Sequence, residues 1–367
     1  MHLRRLVAAG LSIALIAGLS WSVRRAVVGP SADNAPFATR TGTSDERVST
    51  FSIVGFDPAT GDLGVAVASR FFGVGTVVPY AAAGVGAIAT QSLANTTYGP
   101  RGLEMLRAGN DAQSVLDRLL ADDPQRDDRQ VGIVDAGGNA VTFTGAGCLS
   151  WAGGRTGDNY SAQGNILAGP GVVDAMAQTF EGTAGDLATR LTAALAAGQA
   201  AGGDLRGRQS AALLVVREGG GYGGYDDRYI DLRVDDHPTP IVELQRLLDI
   251  RHARLRSDEG TSALQQASRA RGAQRDALVE QAVRAFTEAT TLDPDNGWHW
   301  MTLAAARLQI GDAEGAAAAG VRALKVDPWV KTGILRGFGS LEVAELLLEN
   351  DEFRRAWEAI QISYRSP

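Results

Sequence analysis

The chain has 367 residues, which is enough for about two domains at the usual ~100–200 residues each. Its net charge of −7, without a basic patch interleaved with aromatic residues, argues against a nucleic acid partner. The single cysteine, Cys148, excludes an internal disulfide and a cysteine-based metal site. The four histidines have no ligand-like spacing, so we expect no metal and no cofactor.

The N-terminal segment has the layout of an export signal. Within residues 1–25, Arg4 and Arg5 precede an apolar run from Leu6 to about Val23, as in a secretory signal peptide. The run also approaches the length that spans a bilayer, so a retained membrane anchor is the alternative. Residues 26–49 are rich in small polar residues without apolar periodicity, which predicts a disordered linker. We therefore expect an exported protein, either periplasmic, extracellular or anchored facing outward, whose N-terminal segment engages the membrane.

Residues 50–250 alternate strand and helix patterns. The first two apolar strands, residues 50–56 and 64–69, flank a turn-rich stretch, which predicts a hairpin buried on both faces. Further strands are predicted at 84–91, 130–135, 140–144, 211–217 and 229–234, and helices at 100–107, 112–120, 172–180 and 186–200. Buried strands with helices outside them predict a layered α/β fold.

Several sequence blocks of this domain resemble the bacterial domain-of-unknown-function family 1028. The blocks are TFSIVGFDPATGDLGVAVASRFF, ATQSLANTTYGPRGLEMLRAG, FTGAGCLSWAG, QGNILAG, AGGDLRGRQSAALLVV and DLRVDDHP. The resemblance implies a four-layer αββα sandwich like that of the N-terminal-nucleophile (Ntn) hydrolases. In that fold, the first strand carries the nucleophile at its first residue, which here is Thr50.

The Ntn-like fold implies a specific chemistry for Thr50. An N-terminal threonine attacks a carbonyl with its hydroxyl while its free α-amine, with a pKa of about 7.7–8.0, takes the proton. Thr50 is internal in this chain, so activity requires cleavage between Ser49 and Thr50. Without that cleavage, Thr50 is an ordinary β-branched strand residue.

Three residues are candidates to support such a nucleophile. Arg70 follows the second strand, where a cation would keep the amine neutral and favour an oxyanion. Asn95 and Asn165 are expected to lie in loops after strands, and their amides can donate to an oxyanion. The alternatives are a solvated charge for Arg70 and loop-forming Asx turns for the two asparagines.

The densest polar cluster spans residues 203–210, at the mouth of an apolar strand. Arg206 or Arg208 can clamp a substrate carboxylate, and Asp204 can bind an amine, with Gln209 beside them. An ion pair that stabilises the loop is the alternative.

The sequence pattern of residues 251–367 predicts an all-α helical repeat module. A four-residue signature recurs at an offset of 34 residues, as in tetratricopeptide repeats: Ala282, Phe286, Ala289 and Pro294 return as Ala316, Gly320, Ala323 and Pro328. A degenerate third unit follows as a cap. Such a module offers a groove for a peptide, or a surface for docking and dimerisation.

Taken together, these features predict an Ntn-type amidohydrolase or peptidase of the cell envelope, acting on a small peptide or amide. The repeats are available for a protein partner or for self-association. The rival hypothesis is a non-catalytic binding or scaffold protein that retains the Ntn-like fold and works through its repeats.

Overall fold

A computed structural model of the chain describes residues 50–337 and 339–360. The signal peptide or anchor predicted at 1–25 and the linker predicted at 26–49 lie outside these residues. Within them, no helix combines the length and the apolar character needed to cross a membrane.

The described residues contain ten strands in two antiparallel sheets. The strands are β1 (Thr50–Asp57), β2 (Asp62–Ser69), β3 (Pro79–Ala82), β4 (Gly86–Ser92), β5 (Arg129–Asp135), β6 (Ala140–Thr144), β7 (Gly153–Gly157), β8 (Tyr160–Asn165), β9 (Ser210–Val216) and β10 (Arg228–Val234). The larger sheet has the order β10-β9-β2-β1-β8-β7, and the smaller has the order β3-β4-β5-β6. The predicted β1–β2 hairpin is confirmed, with Thr50 opposite Ser69.

The same residues contain eleven α-helices. They are α1 (Tyr98–Arg107), α2 (Ala112–Ala121), α3 (Gly171–Gly182), α4 (Leu187–Ala200), α5 (Pro240–Ala267), α6 (Ala273–Leu292), α7 (Gly297–Gln309), α8 (Ala313–Val326), α9 (Trp329–Leu335), α10 (Leu341–Leu347) and α11 (Asp351–Ala359). The first four were predicted from the sequence within a few residues of these bounds.

The helices and sheets stack in four layers. Helices α3 and α4 pack on the outer face of the larger sheet, where Phe51, Ile53 and Phe180 are buried. Helices α1 and α2 cover the outer face of the smaller sheet through residues such as Ile88 and Leu119. Because β1 lies between these helices and the other sheet, it is buried on both faces. The predicted αββα sandwich is confirmed.

The helical module is built from antiparallel helix pairs. Helices α5 and α6 pack together, as do α7 and α8, and α11 closes the end against α8. Close contacts alternate along the module: Gly260 leaves room for the ring of Phe286, and Gly320 leaves room for the ring of Phe353. Phe286 and Gly320 occupy the same place in the 34-residue repeat. The position that holds the phenylalanine in the first contact therefore holds the glycine in the second.

The long helix α5 belongs to both modules. Its first half buries Ile241, Leu244 and Leu248 against the sandwich, and its second half buries Ala263 in the helical core. The domain boundary predicted between residues 250 and 251 falls inside this helix, so the modules are joined without a linker.

Candidate functional site

Thr50 lies at the centre of the larger sheet, at the very start of β1. It pairs with Ser69 on β2 and with Asn165 on β8. Because alternate strand residues point to opposite faces, Thr50 shares the face of Ser52 and Val54, which turn towards the smaller sheet. Its side chain is fully buried, and its hydroxyl donates to the hydroxyl of Ser69 at 3.3 Å.

The space between the sheets at this end is filled by a polar network instead of apolar side chains. Its members are buried and come from both sheets: Ser52, Gln91, Gln130, Ser161, Gln163 and Asn165. Further along the same space, the core is apolar, with Val54, Val65 and Val67. Burying so many amides is costly unless each one is hydrogen-bonded, so the network must be well satisfied to persist.

The hydrogen bonds of this network run in one direction. Ser161 donates to Gln163 at 2.7 Å, Gln163 donates to Ser52 at 2.7 Å, and Ser52 donates to Gln91 at 2.7 Å. Gln91 then donates to Gln130 at 2.8 Å. Flipping any one of these amides would bring donor against donor or acceptor against acceptor, so the network fixes the orientation of every member.

The chain of hydrogen bonds ends on backbone carbonyls. Gln130 donates to the carbonyl oxygen of Gly164 at 2.8 Å and to the hydroxyl of Thr144 at 2.9 Å. Gly132 makes space for the network, because a β-carbon there would lie 2.3 Å from the amide oxygen of Gln163.

The network touches the Thr50 site at two points. The amide of Gln91 donates to the carbonyl oxygen of Thr50 at 3.3 Å. The side chain of Asn165 donates to Gln130 at 3.0 Å, so Gln130 accepts from Gln91 and Asn165 together. Thr50 itself and its neighbour on β8, Asn165, are thereby both held by glutamines of the opposite sheet.

The turn after Asn165 is strained. Ile166 has a φ of 53°, in the left-handed region that β-branched residues rarely adopt. A residue held there costs on the order of 1–3 kcal/mol. Its carbonyl oxygen accepts from the backbone of Leu205 at 3.0 Å, which ties this turn to the polar loop at 203–210.

Asp204 organises that polar loop from inside. Its side chain is only 1% exposed, and one oxygen accepts from the backbone N–H of Arg70 at 2.8 Å. The carboxylate also accepts from the backbone N–H of Arg206 at 2.8 Å and pairs with the Arg206 guanidinium at 3.2 Å. The ion pair considered from the sequence is therefore formed within the loop, and the hydrogen bond from the Arg70 backbone links the end of β2 to it.

Three arginines surround this end of the sheet. Arg70 and Arg208 are exposed, and Arg70 donates to the side chain of Gln209 at 2.6 Å. Gln209 donates in turn to Asp236 at 3.1 Å. The structure thus brings together Thr50, Arg70, Asn165, Asp204, Arg206, Arg208 and Gln209 of the predicted site residues.

Asn95 belongs to a different cluster. Its amide oxygen accepts from the backbone of Thr97 at 3.2 Å, which is an Asx turn before α1, and its amide nitrogen donates to Asp123 at 3.0 Å. Asp123 also accepts from Arg129 at 2.9 Å and from the hydroxyl of Tyr98 at 2.9 Å. These contacts anchor helix α1 to the smaller sheet.

Other reactive groups do not join the Thr50 site. Cys148 is half-buried, and burial raises the pKa of its thiol. Within the part of the chain that the structure describes, no group of three His, Cys, Asp or Glu side chains is placed to hold a metal ion.

The network of glutamines is the main feature that the sequence analysis missed. The signal was present in two strands, because Gln91 and Gln130 are polar residues at the ends of otherwise apolar runs. Strand β8, which carries Gln163 and Asn165, was not predicted, because its inward face is polar and the YSAQGN segment lacks apolar alternation.

Comparison with known proteins places the sandwich in a family. The sequence profile of a family of unknown function, DUF1028, matches residues 50–244, which is more than half of the chain. The crystal structure of a DUF1028 protein from Silicibacter pomeroyi is 33% identical, with a TM-score of 0.50, and the match covers 55% of this chain and 88% of that chain.

A second solved structure is less similar to this chain. The TPR domain of OM64 from Arabidopsis is 17% identical, over 30% of this chain and 96% of that chain, with a TM-score of 0.19. A comparison with curated proteins found no match. The profile match spans the sandwich and the solved relative is 33% identical, and on that evidence the chain belongs to the DUF1028 family.

Proposed function

We propose that this protein is an Ntn-type amidohydrolase or peptidase whose nucleophile, Thr50, is freed by cleavage after Ser49. The observation that carries the proposal is the position of Thr50, which is the first residue of the central strand of an αββα sandwich. Cleavage at that bond would place an α-amine beside the Thr50 hydroxyl, which is the arrangement the chemistry needs.

The reaction then uses groups of the first residue itself. The Thr50 hydroxyl attacks the substrate carbonyl, and its α-amine takes the hydroxyl proton and passes it to the departing nitrogen. The C–N bond breaks and leaves an ester on Thr50, which water hydrolyses. Asn165, which pairs with Thr50 across β1 and β8, is better placed than Asn95 to donate to the oxyanion.

The arginines supply the substrate preference in this proposal. Arg206 and Arg208 bind a substrate carboxylate, and Arg70 keeps the α-amine neutral. Asp204 holds Arg206 instead of binding the substrate, because its carboxylate already bonds to Arg206 and to the Arg70 backbone. We therefore propose a small peptide or amide with a free carboxylate as substrate, and an exported location for the enzyme.

The decisive test is the N-terminus of the purified, exported protein. Intact mass and N-terminal sequencing are expected to give one species that begins at Thr50. Periodate oxidises adjacent amino and hydroxyl groups, so that species should yield an aldehyde that an aminooxy reagent captures. A mature N-terminus upstream of Thr50, with no shorter form, would contradict the enzyme and favour the scaffold hypothesis.

Two variants separate self-cleavage from cleavage by a protease. Thr50→Ser keeps a hydroxyl and is expected to be cleaved, while Thr50→Ala is expected to stay intact if the chain cuts itself. Cleavage of Thr50→Ala at the same bond assigns the cut to a protease. In that case hydrolysis of the substrate should still be lost, because the N-terminal residue would lack a nucleophile.

A further inference from the structure

Four polar side chains form a row across adjacent strands at the Thr50 end of the larger sheet. Ser210 on β9 pairs with Ser69 on β2, Ser69 pairs with Thr50 on β1, and Thr50 pairs with Asn165 on β8. None of the four residues is more than 2% exposed. Residues directly opposite each other share a face of the sheet, so the whole row points with Thr50 towards the smaller sheet.

The backbone of Thr50 faces β8, and this brings its side chain close to Ser69. The N–H of Phe56 donates to the carbonyl oxygen of Asn159, just before β8, at 2.9 Å. Every second residue of a strand directs its backbone groups to the same neighbour, so Thr50, six residues earlier, also faces β8. Thr50 and Ser69 therefore form a pair without backbone hydrogen bonds between them, and side chains lie closer together in such pairs.

The two hydroxyls of this pair are in direct contact. The Oγ1 atom of Thr50 donates to the Oγ atom of Ser69 at 3.3 Å. Because the branched β-carbon of threonine allows few rotamers, a bond to the hydroxyl also decides which way the methyl group points. Ser69 thus bonds to the nucleophilic oxygen itself and holds it towards β2.

We propose that Ser69 is a second catalytic residue of this site. The inference rests on the proposed function, in which the Thr50 hydroxyl gives its proton to the α-amine during attack. A hydroxyl can both accept and donate, so Ser69 turns its own O–H to the Thr50 oxygen as that proton leaves. Ser69 then donates to the oxygen while charge changes there, which lowers the barrier to attack.

The proton balance of the acylation step is simple. The Thr50 oxygen forms the new C–O bond, and its proton passes to the α-amine. The ammonium group so formed protonates the departing nitrogen as the C–N bond breaks. Ser69 keeps its own proton throughout and contributes a hydrogen bond only.

Acylation by p-nitrophenyl acetate tests this role in the exported full chain. Reaction at Thr50 releases p-nitrophenolate and leaves one acetyl group on the peptide that begins at Thr50, which mass spectrometry locates. The rate of Thr50→Ala is subtracted, because an N-terminal amine also reacts with this ester.

We expect Ser69→Ala to lower the saturating acylation rate by about 10–100-fold, somewhat less than the ~100–1,000-fold of an oxyanion-hole donor. The half-saturating ester concentration should stay unchanged, because the lost bond acts in the transition state. Ser69→Thr keeps a hydroxyl and should restore most of the rate.

Ser210→Ala is the matched structural control. It removes the neighbouring hydroxyl of the row, which donates to the carbonyl oxygen of Phe71 at 2.5 Å and accepts from the N–H of Val74 at 3.2 Å. This variant should lose at least as much thermal stability as Ser69→Ala. Its acylation rate should change by less than about threefold, because these bonds go to the main chain and not to the nucleophile.

A change of nucleophile gives a second, chemical control. A cysteine thiol ionises more readily than a hydroxyl, and sulfur is a weak hydrogen-bond acceptor. In a Thr50→Cys background, Ser69→Ala should therefore slow acylation by less than about threefold, whereas a structural role would cost the same factor in both backgrounds.

The outcomes separate this inference from the proposed function. Equal slowing by Ser69→Ala and Ser210→Ala would overturn the catalytic role, as would an undiminished effect of Ser69→Ala with Thr50→Cys. A Ser69→Ala protein acylated at the wild-type rate would overturn it too and leave the proposed function standing. A wild type that is not acylated at Thr50 would overturn both. A Ser69→Ala chain that stays uncut while Ser210→Ala is cut supports the role, because self-cleavage also begins with attack by the Thr50 hydroxyl.

Discussion

Asn165 donates its side-chain amide to Gln130 at 3.0 Å, across the space between the two sheets. Gln130 also accepts from Gln91, which holds the carbonyl of Thr50. Replacing Gln130 by Met keeps the shape but removes these two bonds, together with those that Gln130 donates to Gly164 and Thr144. We expect Gln130→Met to slow the appearance of the species beginning at Thr50 by about 10–100-fold, since small misplacements at a reacting centre have effects of that order.

Gln163→Met is the matched control for this prediction. It removes another buried amide of the network, but its side chain bonds to Ser52 and not to Asn165. Both variants should lose similar thermal stability, and only Gln130→Met should slow the reaction strongly. If both variants slow the reaction equally, the effect is structural. The same conclusion follows if adding Gln130→Met to Asn165→Ala slows the reaction by the same factor as Gln130→Met does in the wild type, because the two residues would then act independently.

The buried carboxylate of Asp204 should stabilise the loop at 203–210. Asp204→Ala removes the carboxylate that accepts from the backbone N–H groups of Arg70 and Arg206, and hydrogen bonds to a charged group are worth about 1.5–3 kcal/mol. The free energy of unfolding, measured in urea, should fall by that amount. Arg208→Ala, on an exposed neighbour, should change it by less than about 0.5 kcal/mol. An Asp204→Ala protein as stable as the wild type would disprove this stabilising role.

The Asp123 cluster predicts a pH-dependent contribution to stability. Burial alone would raise the pKa of Asp123, but hydrogen bonds from Arg129, Asn95 and Tyr98 outweigh it and hold the pKa well below its ordinary value. A carboxylate with a depressed pKa in the folded state stabilises the protein above its unfolded pKa of about 3.9, and that contribution is lost as the pH falls further.

We therefore expect Asp123→Asn to cost about 3–5 kcal/mol at neutral pH, as for a broken buried ion pair. The difference from the wild type should stay constant down to about pH 5 and shrink below about pH 4. Denaturant titrations at several pH values measure this. Asp122→Asn, whose pair with Arg101 is partly exposed, should cost less than about 1 kcal/mol at every pH. A penalty for Asp123→Asn that does not change with pH would refute the assignment.

The close packing of the helical module can be tested with glycines. A β-carbon at Gly260 would lie 2.8 Å from the ring of Phe286, so Gly260→Ala should destabilise the protein by about 1–3 kcal/mol. A β-carbon at Gly182, in α3, would meet no atom within 4 Å, so Gly182→Ala should be neutral or stabilising by up to about 1 kcal/mol. Thermal unfolding of the two variants should show opposite signs, and a stabilising Gly260→Ala would contradict the packing.

The sequence was informative wherever apolar periodicity matched the burial. Strands β1, β2, β5 and β9 and helices α1–α4 follow from local patterns, and the αββα order follows from the family resemblance. Strand β8 does not, because its inward residues Ser161, Gln163 and Asn165 are polar and satisfied only by partners from the other sheet. Local patterns contain no information about such partners.

The candidate site shows the same division. Arg70 and Asn165 could be associated with Thr50 through the expected hairpin and through the loop position of QGNILAG. The separation of Asn95 from that site could not be predicted, because it depends on a contact with Asp123, 28 residues further along the chain. The buried state of Asp204 likewise results from a long-range bond to the backbone of Arg70.

The shared helix α5 makes its own length a constraint on the whole protein. Inserting one residue near its middle would turn everything that follows by about 100° and advance it by about 1.5 Å. His252, which lies 2.9 Å from Asp186, and Gly260, which faces Phe286, could not then both keep their contacts. Length changes at this junction should therefore be tolerated only near whole numbers of turns, such as seven residues for about two turns. The rotation of this one helix about its axis thus sets how the sandwich and the helical module are oriented together.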